Sequence, residues 1–196
     1  MAGLASLLDA VAFIAEEFHE WGEDGVPLIA KGDHAQAYRQ CPVHPDDIPL
    51  LVCLVWDDAV GPAGGFRAFA HKALPFGAFG AVWGYSRVGA SVVHILRRLF
   101  AVAQFAYVDD FFRGTPRRYS AVQQWIFREV HMLLGIPLKE EKNHGPAAVL
   151  ELLGLQVVSA RNWAGLRLTD RRVRDLRQTV ERALVGRRVG LPSILC

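Results

Sequence analysis

The segment richest in chemistry is Ala101 to Phe112, which reads Ala-Val-Ala-Gln-Phe-Ala-Tyr-Val-Asp-Asp-Phe-Phe. An apolar run ends in two adjacent carboxylates, Asp109 and Asp110, and apolar residues resume at once. That pattern predicts a buried strand, a tight turn and a returning strand. Two carboxylates about 4 Å apart, at an effective dielectric of about 20, repel by about 4 kcal/mol. A divalent cation is the usual compensation. Asp-Asp is also ordinary turn chemistry, and Asp46-Asp47 and Asp57-Asp58 occur in polar settings near Pro or Gly. The apolar flanks set Asp109-Asp110 apart from those pairs. A third carboxylate, Asp33, follows Val26 to Ala30 and Lys31-Gly32, which places it at the end of a short buried strand. It is either a strand-end cap or a ligand brought in from elsewhere in the chain.

The elements that must position these groups follow from periodicity. Leu4, Leu7, Leu8, Val11, Ile14, Phe18 and Trp21 repeat at helical spacing, and Gly22 to Gly25 ends the helix. Ala35 to Gln40 predicts a helical turn, stopped by Pro42 and Pro45. Leu50 to Trp56 and Phe66 to His71 predict a hairpin with a long loop. A long helix is expected from about Ala78 to Leu99. Gly77, Gly80 and Gly84 lie in its opening turns and mark close approach by a ligand or a neighbouring element. Gly114-Thr115-Pro116 reads as a break, followed by a helix with Val122, Trp125, Ile126, Val130, Leu133 and Leu134 on one face and Gly135 at its end. Ile136 to Asn143 is a charged loop carrying Lys139 and Lys142. Leu150 to Val158 and Trp163 to Leu168 predict a further hairpin. Thr169 caps a last helix with Val173, Leu176, Val180 and Leu184 inward and Arg171, Arg172, Arg174, Arg177 and Arg182 outward. This order predicts an α+β fold with helices packed on an antiparallel sheet.

Composition narrows the class. At 196 residues and 52% apolar, the chain can bury one domain core, or one domain and part of another. The longest apolar stretch, around Leu99 to Val108, contains Gln104 and is too short to span a bilayer. Met1 to Ala15 has no basic leader, which argues against a signal peptide. Cys41, Cys53 and Cys196 lack framework spacing, so an intracellular, reducing compartment (cytoplasm or nucleus) is expected. Cys41 and His44 are half a zinc pattern with no second half. The glycines of Gly61-Pro-Ala-Gly-Gly65 lack a Walker lysine and read as a turn. Residues 1–112 hold 7 basic and 13 acidic side chains, whereas residues 113–196 hold 15 basic and 7 acidic. An acidic half beside a basic half suits a metal site next to a polyanion track, though a solvated basic face has the same composition.

Five segments, in order, carry a resemblance. Lys31-Gly32-Asp33 with Ala37-Tyr38-Arg39 resembles motif A of reverse transcriptases, with tyrosine five residues after the aspartate. Leu74-Pro75-Phe76-Gly77 resembles motif B and Tyr107-Val108-Asp109-Asp110 motif C. Gly135-Ile136-Pro137-Leu138 through Lys142 resembles motif D, and Leu153-Gly154 the start of motif E. The Phe of Leu-Pro-Phe-Gly and the Ala-Tyr-Arg-Gln after motif A are closest in kind to LTR or DIRS-type retroelements. The resemblance implies a ferredoxin-like right-hand polymerase palm, an antiparallel sheet with helices packed on one face. It implies residues 1–25 as a remnant of the fingers, 26–168 as the palm with a fingers insertion at about 42–74, and 169–196 as the start of the thumb.

The same resemblance implies RNA-directed DNA synthesis with two Mg²⁺ ions, or Mn²⁺ in their place. Asp33 and Asp109 would bridge the metals and Asp110 would support them. Tyr38 would close the pocket under the sugar and exclude a 2′-hydroxyl. Phe76 and Gly77 would pack against the nucleotide, Lys142 would stand near its phosphates, and Arg171, Arg174 and Arg177 would track the duplex backbone. The implied partners are a primed RNA or DNA template and deoxynucleoside triphosphates, with no membrane. The chain departs from the family in Ala78-Phe79-Gly80-Ala81 after motif B. Only 32 residues precede Asp33, with no counterpart of the fingertip hairpin, and residues 1–30 contain no Lys or Arg. A palm with all its carboxylates but little processive activity on its own is therefore expected. The competing readings are a non-catalytic palm-fold remnant or nucleic-acid-binding module, and a ferredoxin-like nucleotide cyclase. Leu74 to Gly77 and Tyr38 do not support the cyclase.

Overall fold

The computed structural model describes residues 4–20, 26–61, 64–161 and 163–184. Helix α1 (Leu4–Glu20) is followed by strand β1 (Leu28–Asp33), the hairpin β2 (Val52–Asp57) and β3 (Gly65–Ala70), and helix α2 (Ala81–Phe100). Strands β4 (Ala103–Tyr107) and β5 (Asp110–Thr115), helix α3 (Ser120–Leu133) and strand β6 (His144–Ala147) come next. The chain then forms β7 (Val149–Leu152), β8 (Leu155–Ser159), β9 (Ala164–Leu168) and helix α4 (Asp170–Leu184). Trp21, the Gly22 to Gly25 break, Pro62-Ala63 and residues 185–196 lie outside the described residues.

The central sheet has the order β4-β5-β1-β6 and is antiparallel throughout. Directly paired residues share a face, so the register sorts the side chains. Leu28, Ala30 and Gly32 of β1 lie with Thr115, Arg113 and Phe111 of β5 on the face covered by α2 and α3. A side chain at 32 would meet the Phe127 ring at 2.6 Å, so glycine there lets α3 come down onto the sheet. Ile29, Lys31 and Asp33 lie with Gly114, Phe112 and Asp110 on the other face. Part of that face is covered by α1 and the β7-β8-β9 sheet, where Leu7, Val11, Ile29, Phe105, Phe112, Leu152 and Val157 form one core cluster. The end carrying Asp33 and Asp110 projects beyond that cluster. Thus α2 and α3 share one face as expected, and α1 lies on the opposite one.

Several expectations need correcting. Gly114 and Thr115 do not break the chain; they are the last residues of β5, paired with Ile29 and Leu28. Gly77 and Gly80 precede α2 rather than opening it, and both have φ of +86°, so conformation selects glycine there. Only Gly84 fits close approach, because a side chain there would meet Leu74 at 3.0 Å. Helix α3 buries Phe127, Val130 and His131, whereas Val122, Trp125 and Leu133 are exposed. Val130 and Ile126 of the expected stripe do face the core, and an aromatic and a histidine outside that stripe complete the buried face. Leu150 to Val158 is two strands, split by a turn at Leu153-Gly154 with φ of +51° and +74°. Strand β6 lies between the charged loop, Ile136 to Asn143, and the hairpin expected from Leu150, where periodicity predicts no element. Helix α4 starts where expected, with the Arg172 amide donating to Thr169 Oγ1 at 3.3 Å. Its Val173, Leu176, Val180 and Leu184 are nevertheless exposed rather than inward.

Candidate active site

The site is built where two chain reversals meet. Strand β1 ends in Asp33, paired with Asp110, and Asp110 is paired with Tyr107 across the β4–β5 hairpin. Val108 and Asp109 form the two-residue turn between them. Val108 has φ of +54°, a conformation costly for a β-branched residue. The strained turn puts the Asp109 carboxyl beside Asp33. Burial, then the charges of Asp33 and Asp110, hold Asp109 above the usual carboxylate range, against a backbone hydrogen bond and Lys142.

Two ammonium groups offset this negative charge. Lys142 Nζ lies 2.6 Å from Asp33 Oδ2, and Lys31 Nζ lies 2.9 Å from Asp110 Oδ1. The Asp33 side chain is only 4% exposed while that of Lys142 is 50% exposed, so the lysine reaches in from the cleft. The hydrogen bond to Asp33, then its charge, raises the Lys142 pKa. The backbone fixes this reach. The Lys139 amide donates to Asp33 O at 2.8 Å, the Ala35 amide donates to Pro137 O at 2.9 Å, and His34 bridges Leu138.

These groups open onto a cleft of about 650 Å³ lined by Asp33, Tyr38, Leu74-Pro75-Phe76, Asp109, Lys139 and Lys142 among others. Tyr38 sits in the turn Ala37–Gln40, entered through Gln36 at φ of +52°. Its ring meets Phe76 edge-on at 5.6 Å and Tyr85 of α2 at 5.2 Å. Burial, then Asp109, raises the Tyr38 hydroxyl above its ordinary range. Phe76 is 89% exposed and offers an open aromatic face. The structure thus gathers Asp33, Tyr38, Phe76, Asp109 and Lys142 around one cleft. Asp110 and Gly77 adjoin these residues but do not line it, and neither do Arg171, Arg174 and Arg177 on exposed α4.

Among the described residues, no three His, Cys, Asp or Glu side chains form a ready-made metal cage. The donor set still suits Mg²⁺ or Mn²⁺. Carboxylate oxygens are hard ligands, and Mg²⁺ is usually held by one or two carboxylates plus water and substrate phosphates. Asp33 and Asp109 could supply such a pair, and Asp110 is drawn to Lys31.

Sequence reading missed a buried polar chain directly beneath the site. Tyr85, His34 and His131 are each at most 2% exposed. Burial holds His34 down at about 3 and His131 at about 4, so both rings are neutral at ordinary pH. The only signal was His34 next to Asp33, and nothing in spacing links it to residues 85 and 131.

No protein-family model matches the chain, and no curated protein matches it. Among solved structures it is similar to the foamy viral protease-reverse transcriptase in complex with an RNA/DNA hybrid, with a TM-score of 0.59 at 15% identity. The fold is palm-like. The match covers 81% of this chain and 20% of that one, so the chain spans about a fifth of its length. Among the described residues, no helix is long and apolar enough to cross a membrane.

Proposed function

We propose that this chain is the palm of an RNA-directed DNA polymerase of retroelement type, adding deoxynucleotides to a primer 3′-hydroxyl on an RNA or DNA template. The observation that carries this reading is the meeting of Asp33, at the end of β1, and Asp109, in the β4–β5 turn, in a cleft whose lining is aromatic and cationic. Asp33 and Asp109, with Asp110 beside them, would hold two Mg²⁺ or Mn²⁺ ions, which supply Lewis-acid stabilisation to the attacking and leaving oxygens. Lys142 and Lys139 face the cleft, where they would bind phosphate oxygens. Lys142 stands in its protonated form, so it can give a proton to the departing pyrophosphate. Tyr38 would pack under the sugar and would exclude a 2′-hydroxyl. Phe76 would meet the base, with Gly77 keeping the adjoining backbone bare. Arg171, Arg174 and Arg177 would contact the duplex backbone through phosphates, a term that weakens steeply with salt. An intracellular setting, cytoplasm or nucleus, is part of this reading.

The test is single-nucleotide incorporation on primed RNA and DNA templates with Mg²⁺ or Mn²⁺, with Asp109→Asn as control. Incorporation lost in the variant supports the proposal. Template binding without incorporation in any metal would make the chain a nucleic-acid-binding module instead.

A further inference from the structure

We infer that the hydrogen-bonded series Tyr85, His34 and His131 is a positioning relay that fixes the Tyr38 ring, and through it the choice between deoxyribose and ribose. This rests on the nucleotide-binding reading above. The series runs in one direction only. The Phe127 carbonyl can only accept, so His131 Nδ1–H donates to it at 2.6 Å. The other nitrogen of neutral His131 then accepts from His34 Nε2–H at 2.9 Å. That leaves His34 Nδ1 to accept from the Tyr85 hydroxyl at 2.6 Å. These tautomers are assigned from the hydrogen-bond network, which has one consistent solution.

The geometry gives the relay something to hold. His34 lies flat against Phe111, with ring centroids 4.2 Å apart and planes 17° from parallel, a contact that restrains its rotation. Tyr85 stands between His34 and Tyr38, with ring centroids 6.0 and 5.2 Å away. One rigid series therefore joins α3, β1 and α2, and ends against the ring proposed to face the sugar. Stability alone does not call for it. Apolar side chains would fill this space without desolvating three polar groups. What fully satisfied polar groups add is a single allowed orientation.

The test measures dATP and ATP affinities by competition against a fluorescent deoxynucleoside triphosphate, with Mn²⁺ present. Tyr85→Phe removes the first donor and keeps the ring. His131→Leu removes the far acceptor, whereas His131→Gln keeps both an acceptor for His34 and a donor for the Phe127 carbonyl. The expected result is a fall in the dATP-to-ATP affinity ratio of about two- to tenfold in Tyr85→Phe and His131→Leu, the worth of one hydrogen bond. His131→Gln should restore the ratio. Melting midpoints are recorded alongside. A ratio unchanged in both variants, with only the midpoint lowered, overturns the relay and leaves a structural network. If His131→Leu does not fold, Tyr85→Phe decides alone. Tyr38→Ala is the reference: a wild-type chain that binds neither nucleotide, or a ratio unmoved by Tyr38→Ala, overturns the reading beneath the relay and the relay with it.

Discussion

The end of the central sheet and the β2–β3 hairpin treat polarity in opposite ways. At the sheet end, Asp33, His34 and His131 are buried and each has a hydrogen bond or ion pair, and further along the sheet the paired Gln104 and Arg113 are buried too, with Gln104 Oε1 and Arg113 Nε and Nη1 unpartnered. Arg113 also stacks over the Phe127 ring at 4.4 Å, and burial lowers its pKa to about 10. In the hairpin, Leu54, Trp56, Phe66 and Phe69 stand exposed, and residues of both alternating sets do so. Isolated two-stranded hairpins are marginal in water. The contrast separates two tasks. The sheet end gives up stability to hold polar groups in set positions, which is the mark of a site. The hairpin, held by its ladder and by the edge-on contact of Trp56 with Phe66, contributes little to the common core.

The largest effect that could break this comparison is a pair of truncations. Phe111→Ala should cost about 3–5 kcal/mol of unfolding free energy, because Phe111 is fully buried beneath His34. Phe66→Ala, at an exposed site, should cost about 0.5 kcal/mol or less. Similar costs in urea titrations would show that the hairpin belongs to the same cooperative core.

A smaller effect follows from pH. Burial holds His34 down at about 3 and His131 at about 4 in the folded chain, below the ordinary 6.5. Below about pH 6.5 the unfolded state takes up protons that the folded state refuses, so the folded state loses ground as pH falls. Stability is therefore complete above that value and declines toward about pH 4, by an amount on the order of a few kcal/mol. Unfolding midpoints near pH 7.5 and 5 measure this, and His131→Gln should flatten the slope. An unchanged slope in that variant would remove His131 from the account.

The smallest effect sharpens the site itself. Val108→Gly should relieve the positive φ at the carboxylate turn and raise stability by about 1 kcal/mol. A loss of stability would mean that the valine side chain is worth more than its strain.

How much was legible in the sequence divides along the same line. The β4–β5 turn and the end of β1 were readable because one hydrophobic run stops at Asp109 and the other, Val26 to Ala30, gives way to Lys31-Gly32-Asp33. Pairing Asp33 with Asp110 needed the tertiary register, and so did the reach of Lys142 from a loop read only as charged. The α3 stripe is right at Ile126 and Val130 and wrong at Val122, Trp125 and Leu133, because the buried face turns toward Phe127 and His131. The inward face expected for α4 failed for a related reason: amphipathic spacing shows that a face is apolar, not that anything covers it. Helix α2 was recovered nearly whole, since Val92 and Leu96 hold the helical period.

The most direct measurement is Mn²⁺ binding, followed by the loss of its free-ion magnetic resonance signal, in wild type and in Asp33→Asn and Asp109→Asn. If the two carboxylates form the polymerase metal site, each variant should bind Mn²⁺ about tenfold or more weakly, with the fold retained by circular dichroism. Binding curves that coincide across all three proteins would contradict the account.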